Sequence, residues 1–125
     1  MKRLFLVMVG GLMSSGLVLA DSQDRLDHFE GAPSENLPQA LENIQEGNQR
    51  LNQLLSAETL SDEQMGEIHM LTYTLENALQ RIDQEVDAMA ISLEEVHLGS
   101  EKLDQERVSS NGAAYLEAAA PLTNQ

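Results

Sequence analysis

His69 and His97 are the residues of this 125-residue chain best placed for chemistry. Each stands in a Glu-x-His unit, Glu67-Ile68-His69 and Glu95-Val96-His97. The likeness runs on to Glu76 and Asp104: Glu, a β-branched residue, His, two residues, a hydroxyl residue, two residues, Leu and an acid. The offset of 28 residues is four heptads, so on one helix both copies present the same face. Imidazole beside carboxylate suits a borderline divalent metal such as zinc, copper or nickel. The ligands would be His69, His97, Glu94 and Glu101, with Tyr73 one turn from His69. Geometry decides whether they can act together. On one continuous helix the two histidines stand about 42 Å apart. They come level only across an antiparallel dimer centred near Asp83, or across a hairpin that turns there. The competing expectation is structural and needs no cofactor: part-buried imidazoles flanking a helix seam, hydrogen-bonded to a carboxylate or carbonyl.

Other chemistries find less material. There is no cysteine and no serine in a strained turn beside a histidine, which argues against nucleophilic catalysis. A di-iron carboxylate bundle needs two Glu-x-x-His motifs, and the chain has one, Glu94 to His97. Asp21, Asp24 and Asp27 lack the pattern and central glycine of a calcium loop. The expectation is therefore a protein that is not an enzyme.

The element that must position the histidines is the stretch from Asp62 to Glu106. It has no proline, and its glycines are Gly66 and Gly99. A three-four step through it meets Met65, Ile68, Thr72, Leu75, Leu79, Ile82, Val86, Met89, Leu93, Val96, Ser100 and Leu103, the seam of a helix packed lengthwise on others. Nothing between Ile82 and Met89 is a breaker, so the spacing predicts one long central helix over about 62–103. The alternative is a compact four-helix bundle with a turn near Asp83. Before it, a helix from Asn36 or Ser34 to about Ser56 carries the seam Leu37, Leu41, Ile44, Asn48, Leu51, Leu55, with Pro38 in its first turn. Ser61 and Gln64 form a capping box for the second helix, and the short link makes the two antiparallel neighbours. Asp104 caps a short C-terminal helix, roughly 105–119, with Val108, Gly112, Tyr115, Leu116 and Ala119 on one side, ended by Pro121. The fold class is all-α, an antiparallel helical hairpin on one long helix. Such a monomer leaves seam uncovered, which predicts a homodimer.

The N-terminus sets the compartment. Lys2 and Arg3 precede an apolar run from Leu4 to Leu19, and Val18 and Ala20 are small residues before a cleavage point at Asp21. This is the three-part pattern of a secretory signal peptide over 1–20, too short and glycine-broken for a retained span of roughly 20 apolar residues. The expected product is periplasmic, with no membrane anchor after cleavage. Residues 21–36 read as a polar leader, with His28-Phe29 its candidate for docking onto the helices, and 37–120 as the helical domain. Residues 1–20 hold two of the seven basic residues and none of the 21 acidic ones, so the remainder carries −16. That charge repels nucleic acid and anionic lipid and permits a cationic partner, and the partner expected from the exposed seam is a protein or the chain itself.

Three resemblances add to this. His28-Phe29-Glu30-Gly31, Glu67-Ile68-His69 through Thr72 to Leu79, and Leu93 to Leu98 resemble a family of small exported proteobacterial proteins known only as a domain of unknown function. That resemblance implies export and these boundaries, with no activity attached. Leu60-Ser61-Asp62-Glu63-Gln64 is similar to the Leu-Thr-x-x-Gln motif of Spy- and CpxP-type periplasmic stress chaperones, with Ser for Thr. That likeness implies an antiparallel helical dimer with chaperone-like work. Length and helix content resemble cytochrome b562, but beyond the signal there is no methionine before Met65, and there is no histidine after His97, to ligate haem in that manner. The resulting expectation is a non-enzymatic periplasmic interaction protein. The alternative is a metal- or cofactor-binding bundle that uses His69 and His97.

Overall fold

The computed structural model describes residues 30–123, which form three helices: α1 (Leu37–Leu55), α2 (Asp62–Glu101) and α3 (Gln105–Thr123). Each boundary has a local chemical cause. The Asn36 side chain accepts from Gln39 N at 2.9 Å, and Pro38 stands in the first turn, where a missing N–H leaves nothing unsatisfied. At the start of α2, Ser61 Oγ accepts from Gln64 N at 3.2 Å, and Gln64 Oε1 accepts from Ser61 N at 2.9 Å. Asp104 caps α3 through Arg107 N at 3.0 Å. Between α2 and α3 the chain reverses on Leu103, whose φ is 56°. Leu103 N donates to Ser100 O at 3.3 Å and Asp104 N to Gly99 O at 2.9 Å, closing α2 by the pair of bonds that usually uses a glycine.

α2 is a single helix of 40 residues, about 60 Å long. It passes Asp83 unbroken, which overturns the four-helix alternative with a turn there. The run Asp83 to Ala88 holds no residue that interrupts the i to i−4 ladder, and Arg81 lies 3.7 Å from Glu85 across one turn. α1 and α3, 19 residues each, both pack on α2. They lie end to end along it. A concavity of about 620 Å³ marks where they meet, lined by Pro38, Leu41, Glu42 and Gln45 of α1 and Glu117, Ala120 and Pro121 of α3. α3 also outlasts its expected end. Pro121 is inside the helix, in its last turn, where it removes one hydrogen bond without stopping the chain before Thr123.

The packed face differs from the expected seam by one residue in every second row. In α2 the series Ile68, Leu75, Ile82, Met89, Val96 turns inward as expected. Its companion is Leu71, Ala78, Glu85, Ser92, Gly99, rather than Thr72, Leu79, Val86, Leu93, Ser100. α1 slips the same way: Ala40, Gly47 and Leu54 are buried where Leu41, Asn48 and Leu55 were expected. At Ala40, Gly47, Ala78 and Gly99 the small residue of the row lets the two backbones close up. A Cβ on Gly47 would stand 2.5 Å from Leu75 Cδ2. Leu116, expected on the packed side of α3, is 68% exposed. Among the described residues the buried apolar side chains are few (Leu37, Ala40, Leu54, Ala78, Met89), as expected where two short helices cover one side of a long one.

Gly66 is the opposite case. It sits inside α2, is exposed, and has nothing within 4 Å of a built Cβ. Gly66→Ala should therefore raise stability by about 1 kcal/mol, seen as a higher Tm in circular dichroism.

Residues 30–34 are fastened rather than loose. Ala32 N donates to Thr74 Oγ1 at 2.9 Å. Asn77 Nδ2 donates to Glu30 O at 2.7 Å and to Ala32 O at 3.1 Å, and Arg81 Nε donates to Ser34 O at 2.9 Å. Asn43 Nδ2 reaches Ser34 Oγ at 2.9 Å, and Ser34 is buried. The C-terminal end of the expected polar leader is thus an extended strap along α2. The expected signal peptide, its cleavage point and His28-Phe29 lie outside the described residues.

Candidate functional site

The two Glu-x-His units have equivalent structural roles along α2. Glu67 meets Arg50 of α1, which donates to both carboxylate oxygens (Nη2 to Oε2 2.8 Å). Glu95 meets Arg107 of α3, with Nε and Nη2 each 2.7 Å from Oε2. Ile68 and Val96 follow on the packed face. Thr72 Oγ1 donates to His69 O at 2.7 Å, and Ser100 Oγ donates to His97 O at 2.7 Å. The repeat is thus a clamp used twice, once for each short helix. Arg50 and Arg107 are the functional partners that the sequence reading did not single out. A signal was present: each is the sole basic residue of its helix, in a strongly acidic chain.

The hydrogen bond from Arg50 holds the Glu67 carboxyl below its ordinary range, and the same bond raises Arg50. The sign follows directly. A lowered folded-state value stabilises above the unfolded carboxylate range, and that contribution fades as pH falls through the lowered value. The Tm difference between the wild type and Glu67→Gln should be largest near neutrality and vanish in acid. A difference that persists unchanged into acid would show that the pair is not its source.

The histidines point elsewhere. With α2 continuous, His69 and His97 stand about 42 Å apart and do not meet within one chain. Both are exposed, on the outer side of α2, rather than part-buried beside the seam. His97 Nε2 lies 3.4 Å from Glu101 Oε1, one turn on. His69 packs edge-to-face on Tyr73, ring centroids 5.2 Å apart, with the tyrosine oxygen 3.4 Å from Nε2. Glu94 is also exposed and outward. Of the expected ligands, then, only His97 and Glu101 come together, and His69 is joined to Tyr73. Among the described residues, no three His, Asp or Glu side chains converge as a metal site. A groove of about 440 Å³ beside the strap includes Asn77 and Arg81, but both are already bonded to strap carbonyls.

The unusual feature is the asymmetry between the two flanks of the helical layer. One flank is closed by Arg50–Glu67, the strap at Thr74, Asn77 and Arg81, and Arg107–Glu95. The other is open. Gly47 lies against Leu71 and Leu75, and in an antiparallel pair this register sets Leu55 beside Met65, Asn48 beside Thr72 and Leu41 beside Leu79. Leu116 is nine residues from Arg107, hence on the opposite side of α3 from the closed flank. Six of the ten exposed large apolar side chains fall on this open flank: Leu55, Met65, Leu79, Val86, Leu93 and Leu116. Four of them, Met65, Leu79, Val86 and Leu93, belong to one column of α2 with a seven-residue step, together with Thr72 and Ser100. None of the columns facing this way carries a charge: Leu41, Asn48 and Leu55 on α1, Met65 to Ser100 on α2, Ser109 and Leu116 on α3. In a chain of net charge −14 that is a large neutral surface.

The chain belongs to a family of unknown function, DUF6746, which matches residues 1–124. No curated protein and no solved structure matches it.

Proposed function

We propose that this member of the family is an exported, non-enzymatic protein of a proteobacterial periplasm that works by contact, through the open apolar flank of its helical layer. The observation that carries this reading is the uncharged column Met65, Thr72, Leu79, Val86, Leu93, Ser100, exposed at every position but the half-buried Thr72. A monomeric soluble protein seldom leaves so long an apolar strip in water unless something covers it. Export is supported by the basic, apolar and small-residue succession of residues 1–20. Chaperone-like work draws its support from the same strip. The Leu60–Gln64 likeness to the stress chaperones adds little, because Ser61 and Gln64 are occupied in the capping box.

The test is contact in the living periplasm. A photoreactive side chain at Leu79 or Leu93 should give cross-linked adducts in the exporting cell. The same group at Gln80, one residue off the strip, should give few. If the strip positions yield no adduct above Gln80, the contact reading fails.

A further inference from the structure

We propose that the partner covering the open flank is a second copy of the chain, seated antiparallel with its two-fold axis level with Ile82–Asp83. This rests on the contact reading above and commits it to one occupant.

Charge is the first argument. Two copies of so acidic a chain repel, so they can meet only where neither presents a carboxylate. The central columns of the open flank carry no charge, and the nearest carboxylates of α2, Glu76 and Asp83, stand at its rim. A basic partner would instead be drawn to the acid-rich outer column of Asp87, Glu94 and Glu101.

Spacing is the second. The α2 column is symmetric about a point between Ile82 and Asp83. Antiparallel seating pairs Met65 with Ser100, Thr72 with Leu93, and Leu79 with Val86, so a large side chain meets a smaller one at each level. Parallel seating would set Met65 on Met65 and Leu79 on Leu79, bulk against bulk. The short helices agree. Antiparallel copies lay α1 of one over α3 of the other, so each short helix faces a helix of a different kind rather than its own copy. The surface is also large enough. A strip about 50 Å long and two helices wide is on the order of the 800 Å² per partner that a standard interface buries. His69, Glu76, Asp83, Ala90 and His97, one column outward, fall at the solvated rim. There His69 of each copy comes level with His97 of the partner subunit, the meeting that a single chain forbids.

The chain contains no cysteine, so single cysteines can read the register. Thr72→Cys and Leu93→Cys proteins are purified after export under reducing conditions, then oxidised separately and as an equal mixture. A disulfide-linked dimer is expected from the mixture and from neither variant alone. In sedimentation, the wild type should have twice the chain mass, and Leu79→Glu/Leu93→Glu should have half of that with unchanged helix content. Self-linkage of Thr72→Cys alone overturns the antiparallel register. A wild type that stays monomeric at its highest soluble concentration overturns the dimer, whether the strip proves to be covered by residues 21–29 or by another protein. In that case, strip-dependent adducts in the cell would leave the contact reading standing. Their absence would remove both.

Discussion

Gly47→Leu is expected to destabilise the protein by about 2–3 kcal/mol, while Asn48→Leu, one residue on, changes stability by less than about 0.5 kcal/mol. Gly47 is buried against α2, and a Cβ there already stands 2.5 Å from Leu75 Cδ2, 3.1 Å from Leu75 Cγ and 3.6 Å from Leu71 Cδ1. A leucine adds three more carbons, so Leu75 and Leu71 must leave their places or α1 must lift from α2. The better helix propensity of leucine returns only about 0.8 kcal/mol. For a domain of this size the net loss lowers Tm by roughly 10–20 °C. Asn48 is exposed on the open flank, so its replacement finds room there. The measurement is thermal unfolding of both variants at one protein concentration. An unchanged Tm for Gly47→Leu would place the seam on Asn48 instead, and with it the open flank would disappear.

That contrast shows where sequence reasoning reaches and where it stops. The elements were legible because their signals are local. Asn36, Ser61 with Gln64, and Asp104 each cap the helix that follows, and the absence of a breaker near Asp83 does mean one helix. The seam was half legible. Scoring by apolarity picks Leu41, Leu55, Leu79 and Leu93, but the packed rows use Ala40, Gly47, Ala78 and Gly99, because close packing of two long helices is limited by side-chain bulk. Leu41, Leu55, Leu79 and Leu93 are thereby turned to the flank, and an expected core becomes the candidate interface. The repeat was legible and its meaning was not. Glu67 and Glu95 resemble ligands beside histidines until α1 and α3 bring Arg50 and Arg107 to them. Only tertiary placement separates a clamp from a metal site.

Gly31→Ala should release the strap and cost about 3 kcal/mol. Gly31 has φ +71°, in the left-handed region where a Cβ costs roughly 1–2 kcal/mol. The added carbon would also stand 2.7 Å from Thr74 N and 2.8 Å from Tyr73 C, both backbone atoms inside α2 that cannot step aside. The strain has one outlet, detachment of residues 30–34. The loss is then bounded by what the strap contributes, chiefly the bonds to Thr74, Asn77 and Arg81, each worth about 0.5–1.5 kcal/mol. Hydrogen exchange should show the difference between local release and global unfolding. The Ala32 amide should lose protection in Gly31→Ala, while the amides around Met89 keep theirs. Equal protection at Ala32 in both proteins would mean that the strap tolerates the side chain and the left-handed turn is not its anchor. The strap also explains why the molecule has one open flank rather than two. It covers the edge of α2 opposite the apolar column, so releasing it uncovers a second edge and should turn the proposed dimer into mixed, larger species. Sedimentation of Gly31→Ala that shows the same single species as the wild type would separate the strap from the choice of interface.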